Sequence, residues 1–96
     1  MKKCFYAIEG VTKREQGLLY YTMLNPRRKN PKIFNLCEKA INKVAKEDID
    51  KRMLLEYVTE GCDSVYISQK YFCSERRLAY LYKEYIKEAV KELRRI

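Results

Sequence analysis

Residues 63–93 read DSVYISQKYFCSERRLAYLYKEYIKEAVKEL, and this stretch decides the fold. Ile67 and Tyr71 stand four apart and so share one face of a short helix. Cys73 follows in a tight turn, and Leu78 and Leu81 line the inner face of a second helix. Ser74 sits where an N-cap belongs, with its hydroxyl placed to take up an orphan N–H of the following first turn. The spacing predicts a helix, a turn and a long last helix over about 75–94. Glu75, Arg76, Arg77 and Tyr80 fall near the start of that helix.

Upstream, Gly61 supplies a left-handed stop for a helix carrying Ile49, Met53, Leu54, Tyr57 and Val58. Asp63 or Ser64 caps the short helix. Pro31 opens an earlier helix behind the N-cap residue Asn30, with Ile33, Cys37, Ile41 and Val44 at helical spacing and Lys32, Lys39, Lys43 and Lys46 turned outward. The polar run 46–50 fits either a break, capped by Asp48 or Asp50, or one continuous helix from 31 to 60. Thr12 and Glu15 form a T-x-x-E capping box for a helix over 12–24, carrying Leu18, Leu19, Tyr21 and Met23. Gly17 weakens that helix by about 1 kcal/mol relative to alanine. Asn25-Pro26 ends it, because the residue before a proline is pushed out of the α region. Residues 1–10 fit an arm or a helical turn equally well.

The expectation is therefore an all-α fold, a small bundle of about five helices with a C-terminal helix-turn-helix and a long last helix. It forms one domain, residues 1–96, with a basic N-terminal part (1–47) and a helix-turn-helix part (48–96). Only three glycines and two prolines interrupt 96 residues, which favours long helices with short connections over a turn-rich sheet. No apolar run approaches the roughly 20 residues a membrane span needs, and no signal-peptide core follows Lys2 and Lys3, so a cytoplasmic protein is expected. The four cysteines, Cys4, Cys37, Cys62 and Cys73, contain no C-x-x-C pair and there is no histidine to complete a metal set. Cys37 and Cys73 read as small buried hydrophobes and Cys62 as a loop residue. Most of the nine tyrosines fall at core spacing, with Tyr20, Tyr21, Tyr80 and Tyr82 as the exceptions.

A net charge of +8 makes a polyanion the leading partner class. The charge is uneven: residues 1–48 hold 11 basic and 5 acidic side chains, whereas residues 49–96 hold 10 and 8. Without histidine, a Gly-rich phosphate loop or a desolvated acidic pair, the chain offers no catalytic constellation, and neither an enzyme nor a cofactor is expected.

Set against the general helix-turn-helix pattern I-A-x-x-L-G-I-S-x-x-T-V-x-x-h, residues 67–81 read I-S-Q-K-Y-F-C-S-E-R-R-L-A-Y-L. Small Ser68 sits where the two helices approach, and Tyr71, Cys73, Leu78 and Leu81 hold the apolar positions. Phe72 departs from the pattern, which places glycine there because the turn takes positive φ. Either the turn is a residue longer or its geometry differs. Over residues 49–93 the chain resembles the C-terminal DNA-binding region of sigma factors and the small sigma-like regulators of phages and mobile elements, such as the RinA and ArpU groups. The resemblance implies a three-helix unit, here about 48–60, 64–71 and 74–94, in a transcription regulator that reads duplex DNA with its last helix.

On that reading Arg76 or Arg77 pairs with guanine, Glu75 accepts from cytosine, and Tyr80 meets a phosphate or a thymine methyl. Arg27, Arg28, Lys29, Lys32, Lys70, Lys83 and Lys87 are the candidates for phosphate. Two local alternatives stand beside it: Arg77 packs its stem over the first helix, and Glu75 merely favours the positive end of its own helix. The stripe Tyr85, Ala89, Val90 and Leu93 needs a cover. Either the N-terminal helices supply it or residues 85–96 meet a second copy or a polymerase subunit. The competing function is a helical protein-binding module that reuses the same shape on a host polymerase or nuclease.

Overall fold

In the computed structural model, which describes residues 8–24, 31–61 and 63–95, five helices follow one another. They are α1 (Lys13–Leu24), α2 (Pro31–Val44), α3 (Asp48–Thr59), α4 (Ser64–Lys70) and α5 (Glu75–Leu93). Among the described residues no strand occurs and no helix is long and apolar enough to cross a membrane. The protein is an all-α bundle.

Each helix start has a local cause. Glu15 N–H donates to Thr12 Oγ1 at 3.1 Å while Thr12 N–H donates to Glu15 Oε1 at 3.0 Å, closing the capping box of α1. Asp63 accepts from the N–H of Tyr66 to open α4, and Ser74 accepts from the N–H of Arg77 to open α5, both at 3.1 Å. The run 45–47 breaks the chain between α2 and α3, so 31–60 is two helices. Neither aspartate caps the second of these. Glu47 is the N-cap and makes no side-chain cap bond, while Asp48 and Asp50 lie inside the first turn, where their charge suits the helix dipole.

The core is built on α5. Leu78, Leu81, Tyr82, Tyr85, Ile86, Ala89 and Val90 are all buried along it. Lys43 pairs with Glu88 at 3.3 Å, and Lys32, Leu36 and Lys39 share a cleft with Glu92 and Arg95, so α2 runs antiparallel to α5. This settles what covers the stripe of Tyr85, Ala89 and Val90: the chain's own helices bury it. That face of residues 85–93 is therefore not an open apolar surface for a second copy or a polymerase subunit. Cys37 sits fully buried on α2 beside Tyr85, and burial pushes its thiol up to about 11. Cys73 is half-buried against the core, whereas Cys4 and Cys62 lie outside the described residues. Tyr57 of α3 meets Tyr82 edge to face, 5.5 Å between ring centroids.

Three expectations of facing were wrong. On α1, Leu18 is exposed while Gln16, Tyr20 and Thr22 are buried beside Leu19 and Met23, so the inward face takes two polar residues with it, Gln16 and Thr22. On α3, Ile49 is 54 % exposed and Asp50 turns inward. Tyr82 is buried, so of the four exceptional tyrosines only Tyr21 and Tyr80 stand in solvent.

The end of the bundle is closed by Arg94. Its guanidinium donates to both carboxylate oxygens of Glu15 at 2.9 Å and to the Gly10 carbonyl at 2.7 Å. Hydrogen bonds from Arg94, then from the Thr12 backbone, hold the Glu15 carboxyl down at about 2. A carboxyl whose folded-state value lies below its ordinary 4.5 stabilises the fold above that value and loses its contribution as pH falls toward 2. Glu15→Gln is therefore expected to be less stable than the wild type at pH 7, with the gap narrowing between about pH 4.5 and 2. Thermal unfolding of both proteins across that range measures it, and a gap that stays constant refutes the assignment.

Candidate nucleic-acid interface

The segment that places the candidate side chains is α4, the turn after it, and the first half of α5. Ile67 and Ser68 are the buried residues of α4, and the small Ser68 lets the helix lie close to its neighbours. Leu78 and Leu81 are buried beneath α5. Tyr71, half-buried, donates its hydroxyl to Glu56 of α3 at 2.7 Å.

The turn keeps its length. Cys73 N–H donates to the Ser68 carbonyl at 2.9 Å and Phe72 N–H to that of Gln69 at 3.4 Å, a Schellman-type stop with Phe72 in the left-handed position. Its φ is 52°, while Gly61, which ends α3 as the sequence suggests, has 83°. The expected remedy of a longer or altered turn is absent, and phenylalanine itself takes the conformation usually left to glycine. For an L-residue that costs roughly 1–2 kcal/mol. The ring gains nothing in return from the fold, being 97 % exposed.

Arg76 and Tyr80 are exposed on the first turns of α5, Tyr80 at 61 %. With Lys83 and Lys87, also exposed, they fall at i, i+4, i+7 and i+11, one face of the helix spanning about 16 Å. Lys87 approaches Glu84 at 3.5 Å, a weak surface pair, and Arg76 has no ion pair with a described residue.

Other candidates are engaged by partners within the same chain. Arg77 donates to Asp50 of α3 at 2.8 Å, tying the start of α5 to α3. Its partner is nearly buried, with only 12 % of the carboxylate side chain exposed. Glu75 accepts from the hydroxyl of Ser64 at 2.9 Å, joining the starts of α4 and α5. Lys70 pairs with Glu56 at 2.8 Å and lies 5.8 Å from the ring centres of Tyr66 and Tyr71. The Lys70 ammonium and the Tyr71 hydroxyl hold the Glu56 carboxyl below its ordinary range, and Glu56 in turn raises Lys70.

Lys32 stands apart. It lines the cleft with Asn35, Lys39 and Arg95 at the far end of α5. Arg76 and Glu92 are 16 residues apart on that helix, so the cleft lies about 24 Å from the first turn. Arg27, Arg28 and Lys29 lie outside the described residues.

No family model matches the chain, and neither a curated protein nor a solved structure matches it.

The sequence reading missed three residues that shape this surface. Asp50 occupies the first place of the stripe 50, 53, 54, 57, 58, so its inward facing was signalled by period alone, hidden by the choice of the more apolar Ile49. Glu56 joins Lys70 and Tyr71 across elements, and no local spacing announces it. Phe72 stood out as an anomaly, but its exposure had no signal.

Proposed function

We propose that this chain is a duplex-DNA-binding transcription regulator of the sigma-like kind, and that α3, α4 and α5 form a helix-turn-helix with α5 as its reading helix. The observation that carries the reading is the exposed stripe Arg76, Tyr80, Lys83 and Lys87, which starts at a helix end fixed by the Ser74 cap and the turn on α4. An α-helix presented from its N-terminal turns fits the major groove, and an arginine there reaches guanine O6 and N7 together. Tyr80 supplies an amphipathic contact one turn on. Lys83 and Lys87 serve phosphates along the groove wall. Lys32, some 24 Å away, serves phosphate flanking the bases that are read.

Arg77 and Glu75 have a different place in this scheme. Both are held by partners on neighbouring helices of the same chain, so their part is to set the angle of α5, and Arg76 carries the base contact.

An exposed apolar side chain beside a cleft favours the protein-binding alternative. Leu55, 38 % exposed, lines an open cleft between α2 and α3 together with Ile41, Asp48 and Arg52. Of the two apolar side chains in that cleft, Ile41 is buried, so Leu55 alone offers apolar surface there, short of what a stable protein interface needs.

Selection from random duplex DNA at near-physiological salt is expected to enrich a motif. Replacing Arg27 and Arg28 by alanine is expected to weaken binding to all sequences alike and to flatten its salt dependence by about one unit of slope per lost phosphate contact. Absence of any enriched motif overturns the reading and favours the protein-binding module.

A further inference from the structure

Phe72 carries two burdens that the fold does not repay. Its backbone is in the left-handed region, at φ 52°, where glycine closes the same turn without strain, as Gly61 does after α3. Its ring is 97 % exposed, so no side chain of the protein rests on it. A strained, uncovered aromatic contributes to something other than stability.

Its position says what it meets. Phe72 precedes Arg76 by four residues, so the two Cα atoms are within about 14 Å even for extended chain. The ring therefore stands at the same end of α5 as Arg76 and Tyr80, where the proposed reading seats the duplex. Its immediate neighbours Tyr71 and Cys73 are half-buried against the core, and Gln69, Lys70 and Ser74 on either side of them are exposed and polar. A ring whose neighbours along the chain are half-buried or polar lacks the contiguous apolar surface of a protein-docking site. It does match the major-groove edge, where the C5-methyl of thymine is an isolated apolar group among hydrogen-bonding atoms.

We infer that Phe72 is a specificity-determining residue, packing its ring on a thymine methyl beside the bases read from α5. The inference rests on the duplex-DNA reading above, and the experiment separates the two. The duplex enriched by selection on the wild-type protein is remade with each thymine replaced in turn by deoxyuracil, which removes only the methyl. Binding is then measured for the wild type, Phe72→Gly and Phe72→Asn, glycine and asparagine both being at ease in the left-handed region.

The wild type is expected to lose about fourfold in affinity at one thymine, the worth of one buried methyl. Both variants are expected to bind the unmodified duplex at least about tenfold more weakly, the worth of a buried ring, and to be indifferent to deoxyuracil. Phe72→Gly is expected to melt above the wild type, which separates lost contact from lost fold. Wild-type affinity that ignores every methyl, or variants that bind as the wild type does, overturns the inference while leaving DNA binding intact. A wild type that forms a Phe72-dependent dimer, with duplex affinity indifferent to the ring, overturns it in favour of self-association. Failure to enrich any duplex overturns the underlying function instead.

Discussion

Arg77→Ala is expected to lower the stability of the protein by about 2 kcal/mol, while Arg76→Ala, one residue away, changes it by no more than about 0.5 kcal/mol. The difference follows from what each side chain touches. Arg77 reaches 27 residues back to Asp50 at 2.8 Å, and the Asp50 side chain is only 12 % exposed. Removing the guanidinium leaves a nearly buried carboxylate without its partner. A fully buried pair broken in this way costs about 3–5 kcal/mol, and the smaller figure reflects an Arg77 side chain that is itself 53 % exposed. Urea unfolding measures the loss, and Asp50→Asn in the Arg77→Ala background is expected to recover much of it by removing the stranded charge.

DNA binding is expected to divide the same pair the other way. Arg76→Ala loses about 1–3 kcal/mol of discrimination at one base pair, with its fold intact. Arg77→Ala, assayed well below its melting temperature, keeps the order of preferred sequences while binding all of them less well, because the reading helix is less firmly set. An Arg77→Ala protein as stable as the wild type contradicts the Asp50 pairing. An Arg76→Ala protein with unchanged sequence preference removes the central contact of the proposed interface.

These two arginines also mark where the sequence stops being legible. Features fixed within one turn of chain are legible directly: the Thr12–Glu15 box and the Ser74 cap join a side chain to a backbone group three residues away, the cap of α4 is narrowed to Asp63 or Ser64, and the Gly61 stop needs only a residue at ease at positive φ. The periodicity of α5 announced its buried face as well. Which of two adjacent arginines turns back toward the protein does not depend on local spacing, because it is decided by how α3 lies against α5. The same holds for Arg94 and Glu15, 79 residues apart. It holds also for the stripe of Tyr85, Ala89 and Val90, whose cover is decided by α2 running antiparallel to α5. Asp50 is hard to place for another reason: its neighbour Ile49 is the more apolar of the two, although a buried carboxylate needs only one well-placed guanidinium.

The whole candidate interface depends on α4, a helix too short to stand alone, and Ile67→Ala is expected to show it. Seven residues are well under the length at which a helix persists in water, so α4 exists because it is docked. Its buried residues are Ile67 and Ser68, and only Ile67, with none of its surface exposed, supplies substantial apolar area. Truncating it is expected to cost about 3 kcal/mol, within the range for a buried isoleucine. The loss has a local signature. The hydrogen bonds that fix the turn, from Cys73 to Ser68 and from Phe72 to Gln69, both need the end of α4 in place, as does the contact from Ser64 to Glu75. Below the melting temperature, amide exchange in Ile67→Ala is expected to speed up first over residues 66–73, while α2 and the second half of α5 stay protected by their mutual packing. Duplex affinity should fall with the loss of α4, since the first turn of α5 is then no longer held at a fixed angle. Uniformly faster exchange across all five helices means instead that α4 unfolds only with the bundle, and a variant with slow exchange over 66–73 shows that the caps alone suffice to hold the turn.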